Sequence, residues 1–224
     1  MTVSVVIPFL NEEKALPATL AALFAQPGGF EVITVDGGSS DGSRRILAQH
    51  PAVRVVAAPP GRASQMNAGA GLATGKLLLF LHADTLLPPG AMTALESLAT
   101  SGQPCWGGFC HLFSAADWRL RLVSRLHNWR CRLTQVFYGD QALFVSRELF
   151  LAAGGFPHRL MEDIALSDIL RKKARPVFLP LVVVTDSRKF VQMGVWRSLA
   201  RVVLIRACDE LGLSYPGGFF RNVR

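Results

Sequence analysis

Asp84 ends the stretch Lys76-Leu77-Leu78-Leu79-Phe80-Leu81-His82-Ala83-Asp84, where five large apolar residues stop abruptly at a His-Ala-Asp step. A carboxylate placed where a buried strand surfaces suits a divalent cation and, through it, a diphosphate. Arg62 can make a two-point contact with phosphate oxygens, although an arginine there is equally at home in solvent. Ser187-Arg188-Lys189 follows an apolar run and can bring a late cationic contact to the same phosphates. Glu162-Asp163 precedes Ile164, Leu166, Ile169 and Leu170, so both carboxylates fall in a first helical turn, where they complement the dipole. His127 and Cys131 are spaced i, i+4 and can share a helix face as two metal ligands, but no third accompanies them.

These side chains need elements to hold them. Leu77 to Leu81 reads as a short strand buried on both faces, the kind found in parallel sheets. Pro88-Pro89-Gly90 turns the chain into the next helix. Val3 to Pro8, Phe30 to Val35 and Val53 to Ala57 are further β-branched runs. Between them lie a helix capped by Asn11 with Leu16, Leu20, Leu23 and Phe24 as its apolar stripe, one beginning near Asp41, and one opening at Gly61. Strand and helix alternate four times in the first hundred residues, which implies a mostly parallel α/β sheet with right-handed crossovers.

The second half is less regular. Cys105 to Phe113, Gln141 to Val145 and Val177 to Thr185 read as strands, with a turn at Gly154-Gly155-Phe156-Pro157. Asp117 caps a long helix with Trp118, Leu122, Leu126, Trp129 and Leu133 near one face and Arg119, Arg121, Arg125, Arg130 and Arg132 around the rest. Such a helix either packs its stripe on the core or lies in a bilayer interface, and the packed reading is the default. Val191 to Leu211 forms a last helix, broken by Tyr215-Pro216-Gly217-Gly218 before a basic tail.

The chain has 224 residues, enough for one domain, and half of them are hydrophobic, which excludes a disordered chain. A net charge of +8 implies an anionic partner. No helix-turn-helix, RRM or zinc-finger pattern directs that charge to nucleic acid. The four cysteines form no CxxC pair and read as free thiols. The N-terminus lacks a basic stretch ahead of an apolar core, and no run reaches the ~18 residues of a transmembrane helix. The expected location is the cytoplasm, free or peripheral on the inner face of the membrane.

Four motifs occur in the order seen in glycosyltransferase family 2: Pro8-Phe9-Leu10-Asn11-Glu12, Val35-Asp36-Gly37-Gly38-Ser39-Ser40-Asp41-Gly42, His82-Ala83-Asp84 and Glu162-Asp163. Arg62 to Ala70 and Tyr138-Gly139-Asp140-Gln141 resemble a bacterial subgroup of short members. The resemblance implies a single GT-A domain over 1–224, with a Rossmann-like nucleotide-binding half (1–100) and an acceptor and catalytic half (101–224). It implies that Pro8, Asn11, Glu12 and Asp36 hold the nucleobase and ribose of a nucleoside-diphosphate sugar. The family's metal motif is Asp-x-Asp. Here His82 takes the first place, leaving Asp84 and His82 as ligands of Mn²⁺ or Mg²⁺, of which imidazole tolerates manganese better. By the same resemblance Asp163 is the general base and Glu162 orients the acceptor or the loop. Asn67, Asp140 and Gln141 are candidates for sugar hydroxyls or acceptor.

The implied activity is metal-dependent, inverting transfer of one sugar to an acceptor hydroxyl, with a lipid-linked acceptor as one option. The Gln-x-x-Arg-Trp signature of processive synthases is absent. A sugar-nucleotide pyrophosphorylase would place a glycine-rich basic loop where this chain has the acidic Phe9-Leu10-Asn11-Glu12-Glu13. An inactive nucleotide-sugar-binding or membrane-associated partner protein is the alternative from another class, kept open by His82.

Overall fold

The computed structural model describes residues 1–210, so the expected break at Tyr215-Pro216-Gly217-Gly218 and the basic tail lie outside the described residues. In the first half β1 (Val3–Phe9), α1 (Leu16–Phe24), β2 (Phe30–Asp36), α2 (Ser43–Leu47), β3 (Val53–Ala57), α3 (Arg62–Leu72) and β4 (Leu77–Phe80) alternate. β1 pairs in parallel with both β2 and β4, and β2 with β3. The order β3-β2-β1-β4 is that of a Rossmann-like half-sheet, and the direction of strand addition reverses at β1.

The second half contributes β5 (Thr85–Leu86), α4 (Ala91–Thr100), β6 (Trp106–Phe113), α5 (Trp118–Thr134), a 3₁₀ turn (Gly139–Gln141) and β7 (Phe144–Ser146). It continues with α6 (Arg147–Ala152), α7 (Glu162–Leu170), β8 (Val177–Thr185), α8 (Arg188–Met193) and α9 (Val195–Glu210). One eight-stranded sheet runs through both halves in the order β3-β2-β1-β4-β7-β6-β8-β5. β7 is antiparallel to β4 and β6, β5 is antiparallel to β8, and the remaining pairs are parallel.

The alternation of strand side chains explains why both faces are covered. Leu77, Leu79 and Leu81 join Val5, Ile7, Leu16, Leu20 and Leu95 in one core. Leu78 and Phe80 join Val6, Ile33, Met66, Trp106 and Phe137 in the other. Deleting one such leucine to alanine costs about 2–5 kcal/mol. α3 lies tightly on β1: a Cβ on Gly69 would come within 2.4 Å of Val6.

Several expectations are corrected. Asn11 does not cap α1, which begins five residues later without a side-chain cap. Asn11 instead adopts φ 55° and accepts from the Ser40 N–H at 2.8 Å. α2, by contrast, begins near Asp41 as expected, after Gly42, with Asp41 accepting from the Ser43 N–H. Gln141 belongs to the 3₁₀ turn, not to a strand, and the helix α6 has no counterpart among the expected elements. The expected last helix is two, divided at Gly194, whose φ is 89°. Asp117 caps α5 as expected. The default packing of that helix is reversed, however. Leu120, Val123, Ser124 and Cys131 face inward, while Trp118, Leu122, Leu126, Trp129 and Leu133 lie in solvent.

Candidate active site

The sheet reverses between β1 and β4, and open α/β sheets leave a crevice at the carboxyl ends of strands at such a point. Gln65 on α3 holds the crevice floor: its Nε2 donates to the carbonyls of Phe9 and Val35, each at 2.8 Å. The loops after β1 and β2 are joined residue by residue. The Asn11 N–H donates to Ser39 Oγ at 3.0 Å, the Glu12 N–H to Ser43 Oγ at 2.9 Å and the Glu13 N–H to Asp41 at 3.0 Å.

Asp36 organises the second of these loops. Its Oδ1 accepts from the N–H groups of Gly38 (3.1 Å) and Ser39 (2.8 Å) and from the Ser39 hydroxyl (2.7 Å), and its Oδ2 pairs with Arg44. Burial alone would raise its carboxyl, but the Ser39 contacts and Arg44 outweigh burial and hold it below the usual range. Asp36 is thus engaged within its own loop, so a base N–H would have to share it or displace Arg44.

Pro8, Glu12, Arg62, His82 and Asp84 line one small cleft with Lys189. Lys189 Nζ pairs with Glu12 Oε1 and lies 3.6 Å from Asp84 Oδ2. Burial pushes the Glu12 carboxyl up, against the opposing pull of Lys189. Two carboxylates directed at one ammonium make this a place that demands positive charge.

Gly139 joins that cleft to the second acidic pair. Its N–H donates to Asp163 Oδ2. A Cβ here would stand 2.4 Å from His82 Nε2 and 3.4 Å from Asp163 Oδ2, so imidazole and carboxylate flank one point. The Ile164 N–H donates to Asp163 Oδ1 at 2.8 Å, as the first turn of α7 allows. Burial raises the Asp163 carboxyl, and the Gly139 and Ile164 N–H groups and Arg62 only partly offset this. Burial, then Arg62, lower His82 to about 4, so it is neutral at physiological pH. Glu162 is buried beside Asp163. Arg62 also lines a second cavity of about 420 Å³ with residues 158–163, and so stands between the two acidic regions.

The remaining candidates are placed differently. Both ends of the Asn67 amide are taken by Phe156: Nδ2 donates to its carbonyl and Oδ1 accepts from its N–H, each at 2.9 Å. Gln141 is buried, with Oε1 accepting from the Tyr138 N–H at 3.2 Å and Nε2 donating to the Phe109 carbonyl at 3.3 Å. Both residues position loops and do not offer free groups to a sugar. Asp140 turns from the cleft toward His127 Nε2 (3.2 Å) and His111 Nε2 (3.7 Å). The i, i+4 spacing of His127 and Cys131 makes no ligand pair: His127 meets Asp140, and burial pushes the Cys131 thiol up to about 11.

Sequence reading misses Gln65, Gly139, His111 and the placement of Arg130. Arg130 Nη1 donates to the Val136 carbonyl, its guanidinium lies 3.8 Å over the Tyr138 ring, and its Nε and Nη2 are buried without a partner. It lines a cavity of about 500 Å³ between α5, α8 and α9, walled by Phe113, Val123, Leu126, Phe190 and Leu199. No motif marks these residues; only Tyr138-Gly139-Asp140 hints at the turn.

Residues 4–150 match the family described as Glycosyl transferase family 2. An undecaprenyl-phosphate 4-deoxy-4-formamido-L-arabinose transferase of Serratia proteamaculans is 38% identical over 205 residues, covering 86% of this chain and 59% of that protein. An uncharacterized glycosyltransferase of Mycobacterium tuberculosis is 33% identical over 132 residues, covering 58% of this chain and 59% of the relative. The chain thus spans about three-fifths of the length of these relatives. Among solved structures, S. aureus TarS 1-349 superposes with TM-score 0.67 at 16% identity, covering 93% of this chain and 66% of that one. The mannosyltransferase PcManGT from Pyrobaculum calidifontis, in complex with GDP-Man and Mn²⁺, gives 0.62 at 24%, covering 81% and 56%. The sheet order, the switch-point crevice and these matches together place the chain in glycosyltransferase family 2, with the GT-A fold.

Proposed function

We propose that the chain moves one sugar from a nucleoside-diphosphate sugar to a hydroxyl of a lipid-linked acceptor, with inversion. The observation that carries this reading is the convergence of His82 and Asp163 on Gly139, beside the cleft of Asp84 and Arg62. Residues 1–100 take the donor, and the second half supplies the base and the acceptor site. Pro8, Asn11, Glu12 and the Asp36 loop border the nucleoside, and Arg62 contacts the diphosphate.

Asp163 accepts the proton of the acceptor hydroxyl as its oxygen bonds to the anomeric carbon. The bond from that carbon to the diphosphate breaks, and the nucleoside diphosphate leaves with the electron pair. Burial suits Asp163 to this work by bringing its proton affinity closer to neutrality. A built-in base favours a hydroxyl acceptor over a phosphate, which is already ionised. Glu162 orients the acceptor side.

The donor set fits a cation, because Glu12 and Asp84 already hold an ammonium between them. Asp84 would hold Mn²⁺ or Mg²⁺, with neutral His82 as the second candidate ligand. Such an ion supplies charge stabilisation to the leaving diphosphate. The Serratia relative is named for undecaprenyl-phosphate, a lipid phosphate, and what is carried over to this chain is the lipid link, not the phosphate as attacking group. The apolar cavity with Arg130 at its wall suits the chain and the anionic link of a comparable acceptor. The exposed tryptophans of α5, with Trp196 of α9, suit peripheral contact with a membrane. Among the described residues no helix is long and apolar enough to cross one.

The test is donor hydrolysis and transfer by the full chain across a panel of nucleoside-diphosphate sugars, with Mn²⁺ or Mg²⁺ and membrane lipid extract. Turnover that is lost in Asp163→Asn supports the reading. Tight donor binding with the same negligible turnover in both proteins identifies an inactive nucleotide-sugar-binding protein instead.

A further inference from the structure

His111 on β6, His127 on α5 and Asp140 in the 3₁₀ turn bring three ligand atoms within 4.8 Å of one another. Among the described residues this is the only group of three or more His, Cys, Asp or Glu so placed. No sequence spacing joins its members. His127 Nε2 lies 3.2 Å from Asp140 Oδ1 and His111 Nε2 lies 3.7 Å from Asp140 Oδ2, close to the spacing of ligands around one ion. Ligands about 2.0–2.1 Å from a tetrahedral zinc ion stand roughly 3.3–3.4 Å apart.

The cluster is also incompletely satisfied at His111. His111 is 2% exposed, and both its ring nitrogens lack a hydrogen-bond partner. His127 Nε2 and Asp140 Oδ1 are buried and face each other at 3.2 Å, with no further hydrogen-bond partner for either. Burying polar atoms without partners is costly, so unpaired ring nitrogens beside a carboxylate point to a missing common partner. Asn128 clamps the His111 backbone, with Oδ1 accepting from its N–H at 2.8 Å and Nδ2 donating to its carbonyl at 2.9 Å. The His127 ring lies edge-to-face on Tyr138, 5.0 Å between centroids.

We propose that His111, His127 and Asp140 form a zinc site at the wall of the apolar cavity, separate from the cation site of Asp84. Two imidazoles and one carboxylate leave a fourth tetrahedral position, open to the cavity that all three residues line. Asp140 follows Gly139, the residue whose N–H holds Asp163. The ion therefore fixes the turn that positions the candidate base. This inference stands on the cluster alone and does not depend on the transferase reading.

The test uses the full chain, stripped with chelator and titrated with zinc sulfate against a chromogenic zinc chelator. About one ion per chain is expected, with a rise in melting temperature, and Co²⁺ should give the intense visible bands of a four-coordinate site. His127→Gln and His111→Asn should each weaken zinc binding at least about 10-fold. Asp84→Asn should bind zinc as wild type does. Uptake by wild type that is unchanged in the His111→Asn/His127→Gln double variant overturns the proposal, as does no uptake at all. His127 reaches the cluster from the surface helix α5, so the single His127→Gln variant remains decisive where a His111 change unfolds the chain.

Discussion

Lys189 Nζ lies 3.6 Å from Asp84 Oδ2, so the carboxylate proposed to hold the donor's cation already faces a positive charge of the chain itself. The ammonium and a divalent ion compete for one carboxylate. Lys189→Met should tighten Mn²⁺ binding roughly 2- to 5-fold, the modest range for a largely exposed ion pair. Isothermal titration of Mn²⁺ into both proteins, with nucleoside diphosphate present, measures this. Weaker Mn²⁺ binding in the variant would show that Lys189 supports the cation instead of competing with it.

Asp163→Asn should lower kcat/KM about 100- to 10,000-fold with little change in melting temperature. The pH profile gives the sign. Burial raises the folded carboxyl above its ordinary value, and the base works only when ionised. Activity is therefore full at high pH and falls as pH drops through the raised value, above the ordinary carboxylate range near 4. The residual activity of Asp163→Asn should lack that acid limb.

Gly139→Ala places a methyl 2.4 Å from His82 Nε2 and 3.4 Å from Asp163 Oδ2. His82, the Gly139 turn or Asp163 must move. Strain of about 1–3 kcal/mol is expected in denaturant unfolding, together with loss of turnover. An active and undiminished Gly139→Ala protein would separate this turn from the chemistry.

Trp118 and Trp129 are 68% and 63% exposed on α5. Trp118→Ser/Trp129→Ser should leave the stability within about 0.5 kcal/mol of wild type, as surface changes usually do. Co-sedimentation with anionic vesicles should fall, and wild-type binding should weaken with salt, since arginines flank the stripe. Equal sedimentation of both proteins would remove α5 from the lipid contact.

The parts legible in the sequence are those whose signal is local. Leu77 to Leu81 announces a doubly buried strand by composition alone, and its alternate residues do enter opposite cores. The acidic and glycine-rich turns after β1, β2 and β4 gather at one sheet edge because parallel strands end there. What stays hidden depends on long separations. Asn67 and Phe156 lie 89 residues apart, and no local pattern shows that they consume each other's hydrogen bonds. His111, His127 and Asp140 come from three different elements. The α5 stripe has the expected spacing but the opposite side faces the core, because periodicity finds an apolar face without saying what covers it.

Thr85 pairs with Thr185 across the β5–β8 ladder, their hydroxyls 3.1 Å apart, and the Asp186 N–H donates to the Asp84 carbonyl at 2.9 Å. Two segments a hundred positions apart are thereby riveted at the rim of the donor cleft. The stretch that carries the family match stops at residue 150, short of that rivet. A chain cut there keeps most of the recognisable motifs yet loses the strut beneath Asp84, along with Asp163 itself. The stretch by which the family is recognised is therefore shorter than the stretch that holds the proposed site together.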